Sequence, residues 1–218
     1  SEWGMTPQTV NAYYNPSNNE IVFPAGILQP PFFDPEADDA LNYGGIGGVI
    51  GHEFSHGFDD KGSKFDARGN LNDWWTETDR KLFNERTAKI VAQFDRFEVL
   101  PGVHINGSLT QGENIADLAG ITLAYHALEK HLWKDAPEGP GADGFTWQQR
   151  FFLGWAQVWA QNITEKELRN RIITDPHSPG QYRVIGPLSN LEEFWMAFGC
   201  TKPGPMREED PGKRVIIW

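Results

Sequence analysis

Two histidines and a glutamate within five residues carry the strongest chemical signal in the sequence. His52, Glu53 and His56 form the pattern His-Glu-x-x-His. On a helix, residues four apart lie on one face, so both imidazoles can reach a single Zn²⁺ while the glutamate projects beside them. Chance places this pattern in a chain of this length about one time in a hundred, because histidine is rare. The alternative, two ordinary helical histidines, is therefore the weaker one, and the spacing predicts a zinc site.

A catalytic zinc needs a third protein ligand, and residues 112–117 offer a candidate. Glu113 opens a predicted helix after a glycine, and Asp117 follows one turn later on the same face. A ligating imidazole usually donates its second N–H to a carboxylate, and both Asp59 and Asp117 are placed for that role. Taken alone, Glu113 would be explained by the positive end of the helix dipole. Beside the histidine pattern, we interpret it as the third ligand.

Two cationic side chains in a later, proline-rich segment could assist a reaction at a carbonyl group. His177 and Arg183 lie in residues 175–183, Asp-Pro-His-Ser-Pro-Gly-Gln-Tyr-Arg. We interpret this segment as a rigid turn that presents both cations to a developing oxyanion. The sequence alone leaves equal room for a solvated loop with surface charges.

The composition excludes several classes of function. The 218 residues include 19 Lys and Arg against 30 Asp and Glu, a formal net charge of −11, and no basic block, which argues against nucleic-acid binding. No uncharged apolar run approaches the ~18–20 residues that span a bilayer. The single cysteine, Cys200, excludes an internal disulfide and a cysteine-based zinc cluster. The chain begins without methionine or an apolar leader, so we expect it to be a piece of a longer protein.

The elements that must position these residues predict a mainly helical α+β unit. Short β-prone runs at 9–14 and 20–23 flank a turn signal and predict a hairpin. Helices are predicted at 41–58, 76–97, 113–133, 145–161, 165–173 and 189–198, and loops at 60–72, 101–112 and 135–144. The first helix carries the histidine pattern despite five glycines between 44 and 51, and the second opens with a Thr76–Asp79 cap. With no internal boundary in sight, residues 1–218 are predicted to form a single unit.

Six separated blocks of sequence point in the same direction as the histidine pattern. They are residues 10–14, 23–33, 48–59, 112–117 and 177–188, and the terminal Trp218. In content and order they resemble the C-terminal catalytic region of the neprilysin-type (M13, PepO-like) zinc metallopeptidases. Several blocks in the right order are far more specific than a five-residue motif.

This resemblance implies a thermolysin-like (gluzincin) fold with one Zn²⁺ per chain. It implies that His52, His56 and Glu113 hold the zinc. By the same resemblance, Glu53 is the general base, and Asp59 and Asp117 orient the zinc histidines. Asp117 and His177 are also counted with Glu53 as catalytic, and His177 and Arg183 bind the substrate carbonyl. Asn11 and Ala12 hold the substrate backbone on an edge strand, and the hydrophobic pocket after the scissile bond is lined by Phe32, Val49, Val158 and Trp159.

The resemblance also implies an activity, a partner and two departures. Such enzymes are endopeptidases that cleave oligopeptides on the amino side of large apolar residues, beneath an N-terminal region that covers the site and is absent here. Animal members tie the segment around Cys200 to a second cysteine, which this chain lacks. Two alternatives stay open. One is another gluzincin-type metalloenzyme, such as an aminopeptidase, acting as an exopeptidase in which Arg183 would grip a terminal carboxylate. The other is a catalytically silent structural or binding fragment. For location, we favour an extracytoplasmic (periplasmic or secreted) site over the cytoplasm.

Overall fold

The predicted N-terminal hairpin is present but shorter than predicted. In the computed structural model, which describes residues 3–218, β1 (Tyr13–Asn15) pairs antiparallel with β2 (Glu20–Val22), with Tyr13 opposite Val22. Asn11 and Ala12 directly precede β1, so the prediction that they lie on the edge strand itself is wrong. The antiparallel ladder continued backwards would place Asn11 opposite Pro24, which has no N–H to donate.

Eight α-helices form the largest part of the regular structure in the described chain. They are α1 (Asp39–Asn42), α2 (Gly48–Ser55), α3 (Glu77–Asp95), α4 (Gln111–Leu132), α5 (Trp147–Val158), α6 (Glu165–Thr174), α7 (Gly180–Leu188) and α8 (Glu192–Ala197). The prediction of a mainly helical α+β fold is confirmed. Among the described residues, no helix combines the length and apolar character needed to cross a membrane.

The helix predicted at 41–58 is present with changes of helical pitch. A π-helical segment (Tyr43–Gly47) joins α1 to α2, and a 3₁₀ turn (His56–Phe58) follows α2. Because the helical direction continues into this turn, His52 and His56 keep the relation that the sequence pattern requires.

Two stretches predicted as loop contain regular structure. A second hairpin, β3 (Glu98–Leu100) with β4 (Val103–His104), follows α3 and extends into the loop predicted at 101–112. Helix α7 occupies residues assigned to a rigid turn, with Pro179 at its N-cap and Pro187 in its last turn. Proline fits the start of a helix, where a free N–H has no partner anyway.

Glycines bring α2 and α4 into backbone contact. A Cβ added at Gly51 would lie 2.6 Å from the carbonyl oxygen of Gly120, and one added at Gly120 would lie 2.4 Å from the amide nitrogen of His52. Real Cβ atoms do not approach other atoms this closely, so neither position accepts a larger residue without a shift of the helices. This contact fixes the spacing between the two helices that carry the predicted zinc ligands.

The main hydrophobic core lies between α3, α4, α5, α7 and α8. Its largest fully buried side chains are Trp155, Phe94, Phe151 and Phe152. The C-terminal residues close one side of this core. The ring of Trp218 packs against Phe58, Trp75 and Phe83, with centroid distances of 6.2, 6.1 and 5.7 Å, and Arg86 donates a hydrogen bond to the carbonyl of Ile217. The chain end is thereby anchored beside the turn that follows His56.

Candidate active site

Three predicted zinc ligands from two helices converge on one point. His52 lies on α2, His56 begins the 3₁₀ turn, and Glu113 lies in the first turn of α4. The two imidazole Nε2 atoms are 3.0 Å apart. Glu113 Oε2 lies 3.2 Å from Nε2 of His52 and 3.6 Å from Nε2 of His56. Ligands about 2.0–2.1 Å from a tetrahedral zinc would lie about 3.3 Å from one another, so these separations fit a zinc ion.

Each of the two imidazoles is held by a carboxylate on its far side. Nδ1 of His52 lies 2.8 Å from Asp117 Oδ1, and Nδ1 of His56 lies 2.8 Å from Asp59 Oδ2. A carboxylate accepts hydrogen bonds, so each Nδ1 carries the proton and each Nε2 presents a lone pair. The other oxygen of Asp59 accepts from the backbone N–H groups of Lys61 and Gly62. Asp59 and Asp117 thus occupy the positions predicted for them.

The donor atoms themselves indicate a cation. The two Nε2 lone pairs face each other, and no group in the described part of the chain hydrogen-bonds to the buried Glu113 Oε2. A buried carboxylate oxygen without a donor is costly unless a positive charge lies beside it. Burial alone would raise the pKa of Glu113, but the adjacent His52 and His56 hold it well below its ordinary value, which keeps the carboxylate charged. The residues present therefore fit a divalent metal.

Glu53 lies beside this cluster and is as buried as His52. Its carboxylate converges with His52 and His56, so that one ligand atom from each of the three residues lies within 4.8 Å of the others. Burial raises the pKa of Glu53 above its ordinary value, although His52 and His56 act in the opposite direction. A carboxylate with a raised pKa is a better proton acceptor near neutral pH.

Arg183 lies in a different setting from the predicted turn. It belongs to α7 and is buried, with Nε and Nη2 donating to the two oxygens of Asp117 at 2.8 and 2.6 Å. Its guanidinium also lies 3.7 Å from the ring centroid of Trp159. Burial alone would raise the pKa of Asp117, but the Arg183 charge and its hydrogen bonds hold it below the ordinary value. The prediction that a rigid turn presents Arg183 is wrong, because residues 180–188 continue as helix.

His177 lies at the mouth of the same cluster. Its Nε2 is 3.3 Å from Glu113 Oε2, and its Nδ1 is 2.7 Å from Asp175 Oδ1, which also accepts from the His177 backbone N–H. The side chain keeps 43% of its surface exposed. It is therefore oriented by Asp175 while remaining accessible to a molecule in the site.

Sequence reasoning missed three polar residues that join the His177 loop to α4. Ser178 donates to Asn114 at 2.8 Å, and Asn114 donates to Thr110 at 2.8 Å. All three are buried. Asn114 directly follows Glu113, so this chain of hydrogen bonds couples the position of His177 to that of the predicted ligand. The sequence signal for this link was the position of Asn114, next to Glu113 within residues 112–117.

A cavity of about 450 Å³ opens above these residues. Asn11 and Ala12 line it, and its apolar wall includes Phe32, Val49, Trp155 and Trp159. The prediction that Val158 lines this pocket is wrong, because its half-buried side chain packs against the main core and does not line the cavity.

Trp155, missed by sequence reasoning, takes the wall position instead of Val158. Pro187 has no N–H for the carbonyl of Arg183 four residues earlier. The indole Nε1 of Trp155 donates to that carbonyl at 3.0 Å. This hydrogen bond fixes the Trp155 ring in the wall.

The fold and this site are of the kind found in zinc metallopeptidases, and comparison with known proteins identifies the family. The model for peptidase family M13 matches residues 11–215. Endothelin-converting enzyme-like 1 of Homo sapiens is 44% identical over 219 residues, and endothelin-converting enzyme 1 of Mus musculus is 46% identical over 218 residues. Each match covers 100% of this chain and 28% of the relative. The chain belongs to peptidase family M13 and spans little more than a quarter of the length of these relatives.

Solved structures of high similarity agree. The zinc metalloprotease Zmp1 of Mycobacterium tuberculosis, in complex with an inhibitor, matches with a TM-score of 0.93 and 50% identity, over 100% of this chain and 34% of that one. PepO of Lactobacillus rhamnosis matches with a TM-score of 0.87 and 37% identity, over 100% of this chain and 32% of that one. The predicted family, fold class and zinc cofactor are confirmed.

The glycine contact between α2 and α4 gives a first prediction. Replacing Gly120 with alanine is expected to weaken zinc binding by about 10- to 100-fold, because the new Cβ pushes α4 away from His52. Overpacking of this kind costs about 1–3 kcal/mol of stability, so zinc affinity is measured by chelator competition at a temperature where circular dichroism shows both proteins folded. Gly47→Ala is the matched control, since a Cβ added there would lie 3.5 Å from the nearest atom outside its own turn, an ordinary contact. Unchanged zinc affinity in Gly120→Ala would contradict the positioning role.

Proposed function

We propose that this chain is the catalytic region of a zinc-dependent endopeptidase that hydrolyses oligopeptides on the amino side of large hydrophobic residues. One observation carries the proposal: the Nε2 atoms of His52 and His56 and the unpartnered Oε2 of Glu113 converge at zinc-ligand separations beside buried Glu53. Family membership supports it, while the substrate preference draws on the residues of the cavity.

His52, His56 and Glu113 would hold the zinc, which when bound polarises a substrate carbonyl and lowers the pKa of water to about 7. Glu53 accepts the proton of the attacking water. As the peptide bond breaks, Glu53 delivers that proton to the leaving nitrogen. Its buried position, with a raised pKa, suits a group that must both take up and release a proton near neutral pH.

His177 and Arg183 are the donors for the negative charge that develops on the carbonyl oxygen. His177 is exposed at the mouth of the site and is oriented by Asp175. Arg183 engages Asp117 through Nε and Nη2, which leaves Nη1 for a substrate oxygen. A donor placed in this way typically contributes about 10²–10³ in rate.

The apolar wall suits a large side chain after the scissile bond. Phe32, Val49 and Trp159 face the cavity, and Asn11 and Ala12 lie along it where a substrate backbone would run. Burying a large apolar side chain there would contribute about 1.5–3 kcal/mol. We include in the proposal an N-terminal region of the same protein that covers this cavity, and an extracytoplasmic location.

The surroundings of Arg183 argue against the aminopeptidase-like alternative. The bidentate pair with Asp117 balances the Arg183 charge and leaves the Nη1 group, which suits a hydrogen bond to a carbonyl oxygen better than an ion pair with a terminal carboxylate. The endopeptidase is therefore the function that this geometry supports best.

A peptide blocked at both ends tests the proposed activity directly. With zinc supplied, we expect hydrolysis of an N-acetylated, C-amidated peptide at the bond before its single Phe or Leu, detected by mass spectrometry of the products. Cleavage that requires a free terminus would support an exopeptidase instead. Stoichiometric zinc with no cleavage of blocked or free peptides would identify the silent fragment.

A further inference from the structure

The cavity has two chemically different ends, separated by the zinc-site histidines. On one side, His52 is hydrogen-bonded to Asp117, and Asp117 to Arg183, whose guanidinium lies over the ring of Trp159 at the apolar end. On the other side, His56 is hydrogen-bonded to Asp59, which also accepts from the backbone N–H of Lys61 at the other end. Tyr14, Pro16, Lys61 and Phe65 also line the cavity. We assign them to this second end because Tyr14 lies beside Gly57 and the Lys61 backbone is bonded to Asp59.

Strand β1 and the residues before it run from the apolar end to the second end. Ala12 packs in a buried cluster with Ile27 and Val49, at the apolar end. Two residues later, the Tyr14 hydroxyl lies 3.3 Å from where a Cβ on Gly57 would be, next to His56. A peptide lying along this segment has residues on one side of the scissile bond near the apolar wall and residues on the other side near Lys61.

Lys61 brings an uncommitted positive charge to this end. It is exposed. The lysines of the described chain that form ion pairs are Lys81, with Glu85, and Lys213, with Asp210. The neighbouring carboxylate of Asp59 is already occupied by His56 and by two backbone N–H groups. Asp60 also feels the Lys61 charge, which opposes the rise in the Asp60 pKa that burial causes, but the two side chains form no ion pair in the described structure. The Lys61 ammonium is therefore available to a ligand in the cavity.

We propose that Lys61 is a specificity-determining residue that selects peptides with an acidic side chain on the amino-terminal side of the scissile bond. This assignment rests on the proposed function, because the apolar end must receive the residue after that bond. An extended peptide advances about 3.3 Å per residue, so a lysine side chain at this end can reach the carboxylate of one of the few residues preceding the bond. A glutamate there would find a cation, while a lysine would meet a like charge.

The test measures binding and needs no turnover. The zinc-loaded Glu53→Gln chain is titrated by calorimetry with doubly blocked peptides that place Glu or isosteric Gln at each of the three positions before a central Phe. At one of these positions we expect the Glu peptide to bind about two- to fivefold tighter, the range for a solvent-exposed ion pair. The preference should shrink in high salt, since exposed charges are screened.

Charge reversal provides the decisive comparison. In the same background, Lys61→Glu should invert the preference, so that the Gln peptide binds tighter. Lys64→Glu is the matched control, because Lys64 is exposed three residues further on and does not line the cavity; it should keep the Glu preference. An equal response of both variants, or equal binding of Glu and Gln peptides at all three positions, would overturn the assignment. Failure of the proposed function is seen separately, as loss of hydrolysis of a neutral blocked peptide by the chain that retains Glu53.

Discussion

Replacing Glu53 with glutamine is expected to lower kcat by about 10²–10⁴ while zinc stays bound. Glutamine keeps the size of the side chain but accepts no proton from water. The carboxylate lies in the buried cluster with His52 and His56, and no ligand is removed under the proposed assignment. The measurement pairs steady-state kinetics on a blocked peptide with the zinc content of the dialysed protein.

The controls for Glu53→Gln separate loss of chemistry from loss of structure. The variant should bind the uncleaved peptide with an affinity close to that of the parent, and its melting temperature should be unchanged within a few degrees. Substantial peptidase activity in a zinc-replete variant would mean that another group takes the proton.

Replacing Glu113 with alanine is expected to remove the metal. The change leaves two imidazoles, and a two-ligand site cannot hold zinc against dialysis. The loss of affinity should exceed the ~10–100-fold that follows from removing a hydrogen-bond partner of a ligand. Zinc per chain after dialysis, measured by atomic emission, is the readout, and activity should fall with it.

A matched change on the same helix controls for the effect of removing a carboxylate. Glu129 also lies on α4 but is exposed, paired only with His126 at 3.4 Å. Glu129→Ala should keep stoichiometric zinc and full activity. Stoichiometric zinc in Glu113→Ala would show that the third ligand lies elsewhere, with Glu53 the nearest candidate.

Local signals in the sequence were sufficient for the helices that begin with a cap and for the histidine pattern. Thr76 caps α3, and Asp79 reaches back to the Thr76 backbone, as the spacing of the two residues predicts. The histidine pattern likewise depends on a single helical turn. Interactions within four residues are encoded by the residues themselves, so they can be recognised without knowledge of the fold.

Contacts between distant residues were not predictable in the same way. Ser178 and Asn114 are 64 positions apart, and Arg183 and Asp117 are 66 apart. Prolines at 176 and 179 suggested a turn, yet Pro179 suits a helix start. The helix continues through Pro187, where the Trp155 indole replaces the lost hydrogen bond. Val158 was assigned to the pocket, but which face of a short helix meets a cavity depends on the packing of its neighbours.

The aromatic contacts of Trp218 have a practical consequence for work with this chain. Its ring packs against Phe58, Trp75 and Phe83 while the residue stays 55% exposed. Phe58 belongs to the turn that begins at His56. An affinity tag or fluorescent fusion appended after Trp218 would disturb these ring contacts and, through Phe58, the helix that carries the metal ligands.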